Sequence, residues 1–431
     1  MLSFLYDNER RALMSIGYAC LTVGVPNTSQ KSCMLKNASE ENLSKIIEWN
    51  LNSLENIIDY NIKNDIKLFR ISSDLIPFGS STANALPWWD IYRNDFLRLS
   101  EKIKNSGMRV SMHPGQYTVL NSPSEEVVSR AIEDLNYHAK VLDSLCKGAQ
   151  HKIILHIGGI YKDKEQAIDR FIKNYERLDS RVKRRLVVEN DDRSYNISDV
   201  LEIGGILNIP VIFDDLHHQI NPPYSKRDEV YWIGECRKTW KEEDGKQKIH
   251  YSQQNPNKRI GSHSESIRIN EFMDFFNRLD TKVLDIMLEV KDKNLSALKC
   301  INCTSGAKNI KVLEEEWSRY KYSILESSPA NYLAIRKLLI NKKEYPAIAF
   351  YNLVELALDE KIIPGNSINA AQHVWGYFKD VATEREKAVF LKSIDEFREG
   401  KTSITTIKNK LCKMAITYNR EYLINSYYFV L

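Results

Sequence analysis

Between residues 10 and 292, short apolar, β-branched runs alternate with longer stretches of helical periodicity, and this alternation narrows the fold more than any other feature of the chain. A strand that is followed by a helix and then by a like strand must cross over, which makes the strands parallel and lays helices against the sheet. Eight runs have strand length and composition: Met14–Leu21, Leu68–Ser72, Arg109–His113, Lys152–His156, Leu186–Glu189, Pro210–Asp214, Lys248–Tyr251 and Leu284–Val290. The intervening stretches include SEENLSKIIEWNLNSLENIIDYNIKN and SPSEEVVSRAIEDLNYHAKVLDSL. In the second, Ser122 with Glu125 predicts a capping box, and Pro123 suits the first helical position. Eight βα repeats in about 280 residues match a (β/α)8 barrel. The expected fold is therefore α/β: a (β/α)8 TIM barrel over residues 1–305, followed by an all-α domain over residues 306–431.

The ends of these runs carry the chemistry. Tyr18, Arg70, His113, His156, Glu189, Asp214, His250 and Glu289 each fall at or near the C-terminal end of a separate expected strand, where such barrels place their active sites. One buried ionisable group is readily structural, but each costs free energy unless it is paired or bound to metal, so their recurrence at one address points to a site. Eight of the nine histidines precede residue 306, and only His373 follows it. With His217 one turn beyond Asp214 in FDDLH, and with His263, the ligand-type set becomes His113, His156, Glu189, Asp214, His217, His250, His263 and Glu289. A single catalytic zinc takes about three protein ligands, so five imidazoles and three carboxylates imply a cluster of two to three divalent ions. His218 points elsewhere and reads as structural.

Composition excludes several classes. The net charge of +4 resides in residues 306–431, which hold 19 Lys+Arg against 15 Asp+Glu, whereas residues 1–305 balance at 42 against 42. A polyanion held by the first part must therefore be held by local patches or by bound cations. The longest apolar runs fall short of the roughly 18 residues that a membrane span needs. MLSFLYDNERRALMS has no long apolar region ahead of a cleavage site, and seven scattered cysteines fit a reducing compartment, so a cytoplasmic protein without a secretory signal is expected. Cys300 and Cys303 form a CxxC with only Cys412 downstream, which reads as two linker thiols and not as a zinc site. RVKRR at 181–185 reads as a solvated patch at the barrel's N-terminal face, and Trp88 and Trp89 read as core or loop packing.

Nine strings in order then give a resemblance: IGYACL, LFRISSDLIP, SMHPGQYTVLNSP, LHIGG, VVENDD, FDDLHH, KIH, RIGSHSE and EVKDKNLSAL. Over about the first 290 residues the chain resembles the UV damage endonucleases, TIM-barrel relatives of the AP endonuclease IV family. The resemblance implies a DNA repair nuclease that nicks UV-damaged double-stranded DNA immediately 5′ to cyclobutane dimers, 6-4 photoproducts and other distortions, abasic sites among them. It implies Mn²⁺ as the metal, with Zn²⁺ left open by the His/carboxylate chemistry, and catalytic roles for Glu189, Lys248, His113 and His263. Lys248, two residues before His250, resembles a lysine that the family carboxylates into a metal-bridging carbamate; the alternative is a lysine reaching a phosphate. Gln116 and Tyr117 resemble the family's lesion-probing pair, and Tyr18 resembles a further lesion contact. Thr22 stands where the family often carries Asn. Arg70 reads equally as a phosphate clamp or as a scaffold partner of a carboxylate such as Asp74.

Sugar isomerases and epimerases share the barrel and a His/carboxylate two-metal site, but the GQY loop and the larger ligand set argue against them. A silent lesion-binding protein is disfavoured because no ligand is missing. The stretch NSINAAQHVWGYFKDVATEREKAVFLKSIDEFREGKTSITTIKNKL resembles the YbgA-like family on His373, Trp375, Tyr377, Phe378 and Lys379. DNA contact, partner docking and plain helical packing all stand open for it, and a monomer is expected.

Overall fold

The computed structural model describes residues 14–225, 227–280, 284–305 and 309–431. Most of the N-terminal stretch judged for a secretory signal, and the expected division at 305/306 on its C-terminal side, fall on residues outside these.

Eight parallel strands close on themselves in chain order. They are β1 (Ile16–Ala19), β2 (Leu68–Ile71), β3 (Arg109–Met112), β4 (Lys152–His156), β5 (Leu186–Glu189), β6 (Val211–Asp214), β7 (Gln247–Tyr251) and β8 (Leu284–Leu288). Closure comes from β8 pairing with β1, Ile286 beside Ile16. Gly17 permits the β1–β2 approach, since a Cβ there would lie 1.9 Å from the Leu68 carbonyl oxygen. The strands are followed in turn by α1 (Glu40–Lys63), α2 (Arg93–Ser106), α3 (Glu125–Leu145), α4 (Lys164–Tyr175), α5 (Ile197–Leu207), α6 (Glu229–Arg237), α7 (Ile269–Asn277) and α8 (Asn294–Thr304). The TIM barrel expected from the alternation is the fold observed.

Local chemistry explains the helix boundaries, and in places corrects the sequence reading. Ser39 caps α1 by accepting the Asn42 N–H, and Leu43, Ile46, Ile47, Leu51, Leu54, Ile57 and Ile58 bury one face at helical spacing. Each such side chain contributes about 1.5–3 kcal/mol on burial. The capping box expected at Ser122 and Glu125 is not formed. α3 begins at Glu125 behind Ser124, while the Ser122 hydroxyl accepts the Ser124 N–H at 3.1 Å, a local turn that competes with capping. Trp88 is buried and opens a short helical turn, Trp88–Ile91, whereas Trp89 is partly exposed beneath Lys140. Cys300 and Cys303 lie on α8 and not in a linker, because Leu295, Leu298 and Cys300 give that stretch a buried helical face.

The RVKRR run is not a wholly solvated patch. Arg185 is fully buried, pairing with Asp143 at 2.8 Å and donating to the carbonyls of Cys146, Gly148 and His151. It belongs to a polar floor at the strands' N-terminal ends. There Arg109 pairs with Asp285 at 3.2 Å and donates to Asp244 and Lys246 carbonyls, and Lys152 pairs with Asp244. Buried charges survive here because nearly every donor has an acceptor.

By its contacts the chain forms two compact units, one built chiefly of Pro26–Ile267 and Phe275–Leu298, the other chiefly of Lys299–Leu431. The second is helical: α9 (Ile310–Ser327), α10 (Pro329–Leu338), α11 (Ala347–Asp359), α12 (Pro364–Trp375), α13 (Glu384–Arg398) and α14 (Ile404–Thr417). Its core gathers Ala370, Ala371, Val374, Phe378, Phe390, Ile394, Ile407 and Leu411, and Trp375 stacks on Phe390 at 4.5 Å. Among the described residues no helix is long and apolar enough to cross a membrane.

The floor makes one pH prediction. The His151 Nδ1 accepts the Val110 N–H at 3.1 Å, and burial, with Arg185 and Arg109 nearby, pushes this imidazole down to about 3 from 6.5. A depressed histidine contributes stability that is complete above its unfolded value and is lost as pH falls below it. The urea stability of the wild type over His151→Gln should therefore shrink by about 2 kcal/mol between about pH 7 and about pH 5. A difference that stays constant over that range would contradict a neutral buried ring.

Candidate metal centre

The closed barrel turns the ends of its strands toward a common axis, and the ligand-type side chains arrive there from neighbouring strands. His156 and Glu189 end β4 and β5 in matched register, and Asp214, which ends β6, is in register with His250, the last residue but one of β7. His113 follows β3 by one residue, and Glu289 follows β8 by one. His217 is carried on a helical turn, Asp215–Ile220, that Asp214 itself caps by accepting the His217 N–H at 2.8 Å. His263 comes from the loop after β7, fixed by a backbone bridge to Gln254.

Glu189, only 1% exposed, stands at the centre. Its Oε2 lies 3.1 Å from His113 Nε2 and 3.6 Å from His156 Nε2, and its Oε1 lies 2.5 Å from His250 Nδ1. His250 Nδ1 is also 3.2 Å from Glu289 Oε1, and His263 Nδ1 is 3.9 Å from Glu289 Oε2. Two triads have one ligand atom from each member within 4.8 Å of the others: His113, His156, Glu189 and Glu189, Asp214, His250. Glu189 is common to both, so its carboxylate would face an ion held in either triad. The structure thus brings together all eight ligand-type residues expected from the sequence.

The hydrogen-bonding of this set fits a cation. His113 Nδ1 faces the Pro114 carbonyl at 3.0 Å and so carries the proton, which leaves an Nε2 lone pair aimed at a carboxylate oxygen. His217 Nδ1 likewise faces the Asn190 carbonyl at 2.9 Å. Among the described residues Asp214 Oδ2, His156 Nδ1 and His250 Nε2 are buried without a hydrogen-bond partner. The two carboxylates that share His250, Glu189 and Glu289, repel each other unless positive charge lies between them. The same crowding moves the titrations. Burial, with His113 and His217 close by, pushes the His156 imidazole down to about 4, against the pull of Glu189. His217 and His250 are carried up to about 9 against burial, by Asp214 and Glu189 for the first and by Glu189 and Glu289 for the second.

Lys248 sits on β7 one pleat below His250, fully buried, and its Nζ has no hydrogen-bond partner among the described residues. Burial first, then Arg109, Arg70 and Lys152, holds its ammonium far below the usual lysine range. Gln116 and Tyr117 form the exposed tip of a turn closed by the Thr118 N–H on the Gly115 carbonyl, and Tyr117 is 71% exposed. Tyr18, expected at the mouth as a lesion contact, is instead fully enclosed. It packs edge-on against Phe69, donates its hydroxyl to Asn61 Oδ1 at 2.8 Å, and meets the Thr22 hydroxyl at 2.9 Å. Arg70 pairs with Glu289 and not with Asp74. His218 is buried against Phe213 and Trp232, away from the eight.

Asn190 escaped the sequence reading. Fully buried, it exchanges two side-chain hydrogen bonds with the Asp214 backbone, and its carbonyl orients His217. Its place directly after Glu189 was the available signal. Ser73 donates to the His113 carbonyl and meets His138 Nε2, a support that depends on contacts 40 and 65 residues apart and leaves no local trace.

The chain is similar to known proteins over most of its length. The sequence model of the family described as UV-endonuclease UvdE matches residues 14–321, and that of a family described as a protein of unknown function (DUF1722) matches residues 321–431. A UV DNA damage endonuclease of Clostridium perfringens is 40% identical over 92% of this chain and 97% of its own length. One from Bacillus cereus is 31% identical over 64% of this chain and 87% of its own. The crystal structure of SacUVDE superposes with a TM-score of 0.63 at 39% identity, over 70% of this chain and 99% of that one. On these matches, this chain belongs to the UvdE family of UV endonucleases.

Proposed function

We propose that this protein is a metal-dependent DNA repair endonuclease, which hydrolyses the phosphodiester backbone immediately 5′ to cyclobutane dimers and 6-4 photoproducts and also acts at abasic sites. The observation that carries the reading is the pair of buried His/carboxylate triads that share Glu189, which suits a cluster of two to three divalent ions, Mn²⁺ before Zn²⁺ given three carboxylates in the set. When bound, such ions supply Lewis acidity and an activated water at neutral pH. His113, His156, His217, His250 and His263 would hold the ions through ring nitrogens, and Glu189, Asp214 and Glu289 would bring the negative charge that retains them. Arg70 holds Glu289 in place. Gln116 and Tyr117, exposed above the centre's β3 edge, suit insertion where the damaged dinucleotide leaves the stack. The substrate is double-stranded, UV-damaged DNA, and the site of action is the cytoplasm.

Lys248 joins the set as a carbamate. A buried, neutral amine is a nucleophile for carbon dioxide, and the cations that disfavour its ammonium, Arg109, Arg70 and Lys152, would favour the anion formed. The alternative of a phosphate contact is not supported by a fully buried Nζ.

On UV-irradiated duplex the purified protein should give a nick directly 5′ to the dipyrimidine in Mn²⁺, with a 3′-hydroxyl, and none in EDTA or on intact duplex. His113→Ala and Glu189→Ala should lower that rate at least about 100-fold with the circular dichroism unchanged. No nick in any divalent metal would overturn the reading. Gln116→Ala combined with Tyr117→Ala should cut the preference for irradiated over intact DNA by about tenfold while bound metal stays constant. Loss of metal in that variant would contradict the separation of probe from centre. Labelled bicarbonate should give a carbamate carbon resonance in the wild type that is absent from Lys248→Arg; its absence from the wild type would remove Lys248 from the ligand set.

A further inference from the structure

The loop that follows His156 has a construction that the metal centre does not need. Gly158 has φ +113°, and a Cβ there would meet Asn121 Oδ1 at 2.4 Å. The Gly159 carbonyl accepts from Asn121 Nδ2 at 2.8 Å and from the Tyr195 hydroxyl at 3.2 Å, and the Asp163 N–H closes a turn on the Ile160 carbonyl. Two successive non-glycine residues, Tyr161 (φ +47°) and Lys162 (φ +71°), then occupy the left-handed region. That conformation is strained and persists only where the surroundings over-determine it, a pattern concentrated at functional sites. What it achieves is exposure. Ile160 is 44% and Tyr161 41% exposed although both are large and apolar, and Lys162 is exposed without an ion pair among the described residues. Arg170 fixes the ring from beneath: its guanidinium lies 5.6 Å from the Tyr161 centroid, its Nε donates to the Asn121 carbonyl, and its buried Nη2 is unpartnered.

Asn121 sits in the loop that carries Gln116 and Tyr117, and β3 and β4 are paired neighbours, so its bonds to Gly159 and Arg170 lock the two loops into one body. We propose that Ile160 and Tyr161 form a second prong of the DNA probe beside Gln116–Tyr117, packing on the bases or sugars next to the lesion, with Lys162 on the adjoining phosphate. The inference rests on the reading of DNA as substrate. An apolar tip with a flat ring and a flanking cation matches a nucleotide's π-face beside its phosphate, and rigidity spares the entropy of ordering the tip on binding.

The test is single-turnover nicking of UV-irradiated duplex in Mn²⁺ by the full chain over a series of salt concentrations. Tyr161→Ala should raise the half-saturating enzyme concentration about tenfold at an unchanged salt slope, and Tyr161→Phe should restore it. Lys162→Gln should instead lower the slope of log affinity against log salt by about 1. Bound metal should be the same in all three, which separates a lost contact from a damaged centre. A Tyr161→Ala protein that saturates like the wild type overturns the second prong while leaving the substrate reading intact. A wild type that does not distinguish irradiated from intact DNA overturns the substrate reading and the prong with it.

Discussion

The rest of the structure depends on the charge gathered around Glu189. This buried carboxylate meets His113 and His156 on one side and His250 and Asp214 on the other, and it shares His250 with a second carboxylate, Glu289. Protons can relieve part of this, as the upward shifts of His217 and His250 imply, but one proton cannot serve two triads that share an oxygen pair. A divalent ion can, because it accepts several donors at once. Only a scaffold that cannot relax would keep such groups together, and a closed parallel barrel is one: moving any strand end breaks pairing on both flanks.

The barrel's two ends manage buried charge in opposite ways. At the floor, Arg109, Lys152 and Arg185 find carboxylates and carbonyls, so charge there is neutralised within the chain. At the mouth, polar atoms are left wanting. Lys248 lies between the two, near the floor's cations yet beside the mouth's ligands, and of the two strand lysines it is the one whose Nζ has no hydrogen-bond partner among the described residues, Lys152 being paired with Asp244. The contrast between a satisfied floor and an unsatisfied mouth separates structural polarity from functional polarity more sharply than burial alone, since Glu189, Asp214 and His250 at the mouth are as enclosed as Lys152 and Arg185 at the floor.

Much of this was legible in the sequence because it depends on local order. Strand limits agree to within a few residues since β-branched runs end at turn chemistry, and a polar residue closing such a run can only lie at the barrel's mouth. What was not legible depends on pairings distant in the chain. Arg70 finds Glu289, 219 residues away, and not the nearby Asp74. Arg185 looks like part of a charged run, but the carbonyls of Cys146, Gly148 and His151 draw it inward. Tyr18 carries a polar tip at a strand end, yet Asn61 from α1 satisfies that tip inside the barrel wall. The Ser122 capping box failed for a local reason: with Pro123 following, the hydroxyl reached the N–H two residues on before a helix could begin.

The division of labour between strand and loop follows from tolerance of error. Ligands to shared ions must hold their positions to a fraction of an ångström, and strand ends in matched register, such as His156 beside Glu189, supply that. Residues that probe a duplex need reach, so they belong on loops, where the entropy of ordering is the cost. Asn121 lowers that cost by bonding the β4 loop to its own, so the tips at Tyr117 and Tyr161 inherit stiffness from the same wall that fixes His113 and His156. On the proposed reading, the stiffness of these tips would let a duplex that deforms more readily at a lesion be told from one that does not.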